Sequence, residues 1–114
     1  MPNYQIEISD MLLKCGFQPH IKGYRHSQKA LELILADFGK ANAVAKLFEE
    51  VGETFNTTGR RVDKDIDHAV KSAWDRNPMF RELFPYSGGS APGNAEFLAT
   101  IAERIRLQKL LEVA

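Results

Sequence analysis

Basic side chains recur on one face of a helix that the sequence predicts near the middle of the chain. Within residues 55–76, apolar side chains occupy positions i, i+4, i+7, i+8 and i+11, which is the spacing of a single helix face. On a wheel that turns about 100° per residue, the basic side chains lie on the opposite face. The apolar set is Val62, Ile66, Ala69, Val70 and Ala73, and the basic set is Arg60, Arg61, Lys64, His68 and Lys71. Such a helix can dock on a core and present positive charge to a polyanion.

The segment before this helix predicts a second helix that would pair with it. Residues 41–54 form an amphipathic pattern that ends a short turn earlier, which makes a helix-turn-helix candidate. Gly52 is less favourable in a helix than alanine by roughly 1 kcal/mol, but a small residue here would let the next helix approach closely. Asn56 can adopt the left-handed conformation that ends a helix, and Thr57 or Thr58 can then cap the following one.

The other helices are predicted from apolar spacing and from the residues that start or stop helices. We expect them at about 9–15, 23–38, 78–84 and 95–111. Ser9 or Asp10 is the predicted N-cap of the first helix, Gly16 is its stop signal, and Asn94 is the predicted N-cap of the last helix. No β pattern of any length is present. The sequence therefore predicts an all-α fold of about six helices with a central helix-turn-helix.

Length, charge and composition limit the class of protein. The 114 residues predict one domain that spans residues 1–114. Fifteen Lys and Arg residues balance fifteen Asp and Glu residues, which argues against a generally basic nucleic-acid coat but leaves room for a local basic patch. The single cysteine, the lack of an apolar run of about 20 residues and the lack of a signal-peptide pattern favour a cytoplasmic protein that does not interact with a membrane.

Several short motifs occur together in an order that is typical of one family. They are HIKGY at 20–24, FNTT at 55–58, Arg61-Val62, Ile66 with His68-Ala69, Ala73-Trp74, Glu96-Phe97, and Arg104 with Arg106-Leu107. Over about residues 10–109 the chain resembles the DNA-binding effector domains of the stage zero sporulation response regulators of the protein A type. The resemblance implies a six-helix effector domain whose fourth helix enters the major groove of promoter DNA. It also implies binding to tandem sites, with possible homodimers, and contact with the sigma subunit of RNA polymerase.

The resemblance also suggests which residues read the bases. Arg61, Asp63 and Lys64 fall where the recognition helix of the family contacts bases, and Arg60 belongs to the same basic set as Arg61 and Lys64, with Asp63 at the flank of the helix. Lys64 stands where the family generally has arginine, so a point charge replaces a bidentate fork on guanine. A carboxylate at position 63 can accept a hydrogen bond from N4 of cytosine.

A second set of residues is predicted to contact the phosphates of DNA. It comprises Lys22, Tyr24, Thr58, His68 and Lys71. Lys22, Tyr24 and Arg25 open the second helix, where helix N-termini and adjacent cations bind phosphate oxygens. The alternative is that HIKGY forms a buried turn in which Tyr24 is packed. The basic face could likewise be a solvated surface, on which Asp67 pairs with Lys71 at i, i+4.

Met79, Phe80 and Arg81 are candidate contacts with the polymerase. The alternative for the apolar residues of this segment is that they close the core. Regulators of the family carry an N-terminal receiver domain that accepts a phosphoryl group, and 114 residues leave no room for it. We therefore expect either an excised domain or a freestanding relative.

Neither a catalytic site nor a metal site is predicted. No serine lies in a nucleophile elbow, SGGSAPG lacks the Lys-Ser/Thr of a phosphate loop, and the three histidines lack ligand spacing. The sequence thus predicts a sequence-specific regulator of transcription that binds double-stranded DNA, is not an enzyme and needs no cofactor. The alternative is a protein-interaction module that kept the fold but binds a regulator or RNA polymerase. The zero net charge and the aspartates of the fourth helix favour this alternative.

Overall fold

The computed structural model describes residues 3–113 and shows a bundle of helices. The α-helices are α1 (Gln5–Cys15), α2 (Lys22–Ala36), α3 (Val44–Thr54), α4 (Gly59–Arg76), α5 (Pro78–Leu83) and α6 (Asn94–Val113). A 3₁₀ helix at Phe38–Asn42 lies between α2 and α3, and the described residues contain no strand. The prediction of an all-α fold with about six helices is confirmed.

Helix α2 lies at the centre of the bundle, with α1, α3, α4 and α6 packed around it. Its apolar residues Ala30, Leu31 and Ile34 are fully buried, as their helical spacing predicts. An aromatic cluster extends this core: the Phe80 ring lies 5.5 Å from the Trp74 ring and 5.7 Å from the Phe97 ring, measured between centroids. Packing of apolar faces supplies most of the stability of such short helices, because isolated ones are marginal in water.

Several predicted helix ends are confirmed. Gly16 ends α1 with a φ of 99°, and Asn56 follows α3 with a φ of 57°, so both adopt the left-handed conformation. Thr58 is the N-cap of α4, and its side chain accepts a hydrogen bond from the Arg61 backbone N–H at 3.1 Å. Asn77 caps α5 in the same way by accepting from the Met79 N–H.

Other helix ends differ from the prediction. Helix α1 begins four residues before Ser9, because the Asn3 side chain accepts from the Gln5 N–H and satisfies a donor there. Helix α2 stops at Ala36, because the Asp37 carboxylate accepts from the Gly39 N–H and starts the 3₁₀ turn. The last helix also differs. The Asn94 Oδ1 atom, which would accept a cap bond, has no partner among the described residues.

Two glycines let α4 approach its neighbours. A Cβ on Gly52 of α3 would lie 2.7 Å from the Thr57 carbonyl oxygen, so the small residue predicted at this position is required. A Cβ on Gly23 of α2 would lie 2.5 Å from the Asp65 carbonyl oxygen and 2.6 Å from the Ala69 Cβ. Helix α4 is therefore held on one side by the turn after α3 and on another by the first turn of α2.

Candidate nucleic-acid interface

Helix α4 has one buried face and one exposed face. Val62, Ile66 and Val70 are fully buried in the core, as their spacing predicts. The five basic residues of the opposite face are all exposed: Arg60, Arg61, Lys64, His68 and Lys71. The amphipathic orientation that the sequence predicts for this helix is therefore present in the structure. The exposed face of α4 is called the basic face below.

The four predicted base-contacting residues lie in the first two turns of α4. Arg60, Arg61, Asp63 and Lys64 are all exposed. Within residues 3–113 none of the three cations forms an ion pair. Their charges are therefore available to an external anion. The Thr58 cap fixes where the helix starts, and so fixes the direction in which these side chains leave it.

Residues of α2 and α4 line a common groove on the surface. It has a volume of about 220 Å³, and the side chains that line it include Lys22, Arg25 and Arg61. Lys22 and Arg61 are thus neighbours although they are distant in sequence. Arg25 is a third exposed cation here, and the sequence places it with Lys22 at the start of α2, where adjacent cations can bind phosphate. Three cations around one groove concentrate positive potential on a chain whose net charge is zero.

His26 and Asp65 form the inner part of this groove. His26 is 4% exposed, and its Nδ1 lies 3.5 Å from Asp65 Oδ2. Neither atom has a hydrogen-bond partner among the described residues. Burial lowers the pKa of His26, the negative charge of Asp65 opposes that shift, and the positive charge of Lys22 reinforces it. Burial is the largest of these effects, so the pKa of His26 is lowered and the protonated imidazole is disfavoured.

Asp63 makes a contact that the sequence did not predict. Nδ2 of Asn94, the first residue of α6, donates to Asp63 Oδ1 at 2.6 Å and to the Asp63 carbonyl oxygen at 2.9 Å. The two residues are 31 positions apart. Local spacing could not reveal this pair, because it depends on how α6 packs against α4.

The remaining phosphate candidates differ in how accessible they are. Thr58 and His68 are exposed. Lys71 is exposed as well, but its Nζ lies 2.9 Å from Asp67 Oδ2, which confirms the predicted i, i+4 pair. Exposed pairs of this kind contribute little free energy, so Lys71 can still turn towards a phosphate. Tyr24 is 8% exposed and belongs to the hydrophobic core, so the alternative of a packed side chain describes it better than the phosphate role.

The structure separates the three candidate polymerase contacts. Phe80 is fully buried in the aromatic cluster, so its side chain closes the core and is not available to a partner. Met79 is 54% exposed. Arg81 is exposed, but its Nε donates to the Trp74 carbonyl oxygen at 3.2 Å and its guanidinium lies 5.7 Å from the Trp74 ring centroid. Of the three candidate polymerase contacts, Met79 and the outer part of Arg81 are therefore accessible to a partner.

Residues 3–113 contain no group of three or more His, Cys, Asp or Glu side chains placed to hold a metal ion. None of their helices is both long enough and apolar enough to cross a bilayer.

The fold and the basic face define a class: a helical domain in which α3 and α4 form a helix-turn-helix and α4 presents cations outward. Comparison with known families agrees with this class. The model of the family described as the sporulation initiation factor Spo0A C terminal matches residues 8–105. The chain therefore belongs to the Spo0A C-terminal family, whose members are DNA-binding effector domains of a sporulation regulator. The resemblance inferred from the motifs is confirmed.

Proposed function

We propose that this chain is a sequence-specific, double-stranded DNA-binding regulator of transcription that acts at the initiation of sporulation. In this proposal α4 enters the major groove, as the second helix of a helix-turn-helix does. The observation that carries the proposal is the basic face. Arg60, Arg61 and Lys64 project from the start of a helix whose other face is anchored in the core, and they are not neutralised within the described residues.

The chemistry of each base-contacting side chain follows from its donors and acceptors. The planar guanidinium of Arg61 can donate two hydrogen bonds to O6 and N7 of one guanine. Lys64 donates as a point charge and so reads with less geometric specificity. Asp63 accepts from the N4 amino group of cytosine, and Arg60 reaches the adjacent base or its phosphate.

Phosphate contacts fix the orientation of α4 on the duplex. Lys22 and Arg25 line the same groove as Arg61. The side chains of α2 would therefore bind phosphates of the DNA while those of α4 contact the bases. Thr58 at the N-cap of α4, and His68 and Lys71 further along its basic face, would contact the neighbouring phosphates. Tyr24 is excluded from this set because its side chain is packed in the core.

The same proposal extends to assembly. Residues 1–114 would act as one effector domain in the cytoplasm, with two copies on tandem sites whose centres lie about one helical turn, roughly 10 bp, apart. The sigma subunit of RNA polymerase would be contacted through the exposed part of the α5 segment, at Met79 and Arg81. No catalytic residue or cofactor is needed for any of these steps.

Salt dependence of binding tests the proposal against the protein-interaction alternative. A duplex selected from a random pool and a scrambled duplex would be titrated with the protein at several salt concentrations. A DNA reader should prefer the selected duplex and lose affinity steeply with salt, because bound cations release counterions from DNA. If no duplex is bound at low salt and the chain instead captures purified RNA polymerase, the interaction module is the better account.

A further inference from the structure

The carboxylate of Asp63 is held by a residue from outside its own helix. One amide nitrogen, Asn94 Nδ2, donates both to the Asp63 side chain at 2.6 Å and to its backbone carbonyl at 2.9 Å. Asp63 is exposed, whereas Asn94 is half-buried at the start of α6. An exposed carboxylate on a helix would otherwise sample several rotamers. The contact therefore selects one orientation of Asp63 before any ligand arrives.

The geometry of the contact leaves Asp63 able to act. Asn94 occupies Oδ1, and no donor within residues 3–113 reaches Oδ2. A charge-assisted hydrogen bond to one carboxylate oxygen is short and directional, so it fixes the second oxygen as well. Oδ2 is then a fixed acceptor on an exposed residue, at the flank of the basic face in the first two turns of α4.

We propose that Asn94 is a positioning residue that orients the Asp63 carboxylate for readout of a cytosine amino group. The inference rests on the proposed function, since it assumes that α4 lies in the major groove. Base discrimination needs the acceptor to be at hydrogen-bond distance from N4 of cytosine and away from the O6 or O4 acceptors of other bases. Holding the carboxylate in advance lowers the entropy lost when that contact forms.

A purely structural role for Asn94 predicts something different. If Asn94 only fastens α6 to α4, its loss would lower stability and weaken all duplexes alike. The positioning role and the structural role can be distinguished because Asn94 donates to two different atoms of Asp63. The bond to the Asp63 carbonyl survives in Asp63→Ala, whereas the bond to the carboxylate does not.

The test is a double-mutant cycle in which the measured quantity is the preference of each variant for one base pair over the others. Duplexes selected from a random pool by the wild-type protein are varied one base pair at a time, and the pair whose preference Asp63→Ala abolishes is identified. The affinity ratio at that pair is then measured for the wild type, Asn94→Ala, Asp63→Ala and the double variant. We expect Asn94→Ala to lower the ratio roughly twofold to tenfold, the range of one hydrogen bond. In the Asp63→Ala background it should change the ratio no further.

Two further variants keep the result interpretable. Asn94→Asp favours the start of a helix, but it replaces the donor with a carboxylate that repels Asp63, so it should lower the same ratio without unfolding α6. Asn42→Ala makes the same chemical change as Asn94→Ala at an exposed position of the 3₁₀ helix, and it should leave the ratio unchanged.

The outcomes distinguish this inference from the proposed function. If the wild-type chain selects no duplex, both fall together. If it selects a duplex but Asp63→Ala alters no base preference, only the inference is overturned. The same holds if Asn94→Ala and Asn94→Asp weaken every duplex by the same factor.

Discussion

His26 of α2 faces Asp65 of α4 across the contact between these helices, with Nδ1 3.5 Å from Oδ2. Phe55, from the turn after α3, packs against the imidazole with ring centroids 5.1 Å apart. The other charged groups at this junction are Lys22, Arg25 and Arg61, which line the same groove. The position of α4 thus depends on a buried, titratable contact that adjoins the basic face.

The contact between His26 and Asp65 leads us to expect that the protein loses stability in mild acid. Burial lowers the pKa of His26 below its ordinary value of 6.5, so the unfolded chain binds a proton at a higher pH than the folded one. Stability is therefore fully present above about pH 6.5 and falls as the pH drops through the window between the two pKa values. Urea unfolding at a series of pH values measures this fall.

His26→Phe should flatten that part of the profile, because the ring at position 26 can no longer titrate. His68→Gln is the matched control: it removes a histidine from an exposed position of α4 and should keep the wild-type slope. Parallel profiles for the wild type and His26→Phe between pH 6.5 and pH 5 would show that another group causes the acid instability.

Gly52→Ala should destabilise the protein although it improves helix propensity. The new Cβ would lie 2.7 Å from the Thr57 carbonyl oxygen and 3.0 Å from the Thr58 carbonyl carbon, both backbone atoms that cannot move alone. We expect a loss of about 1–3 kcal/mol in the free energy of unfolding, measured with urea. Gly93→Ala is the control, because among the described residues no atom beyond its two chain neighbours lies within 4 Å of its Cβ position, and a loss below about 1 kcal/mol is expected from the change of N-cap residue. Similar values for the two variants would refute the close approach of α3 and α4.

The neighbouring residues Phe80 and Met79 should respond very differently to truncation. Phe80 is fully buried against Trp74, so Phe80→Ala is expected to lower the free energy of unfolding by about 3–5 kcal/mol. Met79 is 54% exposed, and Met79→Ala should have a small effect on stability. Any loss of polymerase binding in Met79→Ala can then be attributed to the surface. A large loss of stability in Met79→Ala would show that its side chain belongs to the core.

The fold could be predicted largely from local signals in the sequence. Apolar spacing reports which residues share a helix face, and residues such as Asn56, Thr58 and Asn77 mark ends through bonds to nearby backbone atoms. The start of α1 was missed because its signal lies upstream, at Asn3, and not at Ser9. Phe80 was placed on a candidate surface although it closes the core, because a six-residue helix gives too short a pattern to assign a face.

The sequence predicted those parts of the candidate site that lie on a single helix, and it did not predict the parts that two helices form together. The exposure of Arg60, Arg61 and Lys64 follows from the position of each residue on α4. By contrast, the groove shared with Lys22 and the contact between Asp63 and Asn94 join residues from different helices. Periodicity carries no information about which helices meet, so these features required the three-dimensional structure.

The most direct test of the account is the effect of Arg61→Ala on binding to a matched and a scrambled duplex, with Lys71→Ala measured in parallel. We predict that Arg61→Ala loses roughly 1–3 kcal/mol on the matched duplex and much less on the scrambled one, because only the matched duplex offers its guanine. Lys71→Ala should weaken both duplexes alike, as a phosphate contact does. Equal losses on both duplexes for Arg61→Ala would contradict base reading by α4.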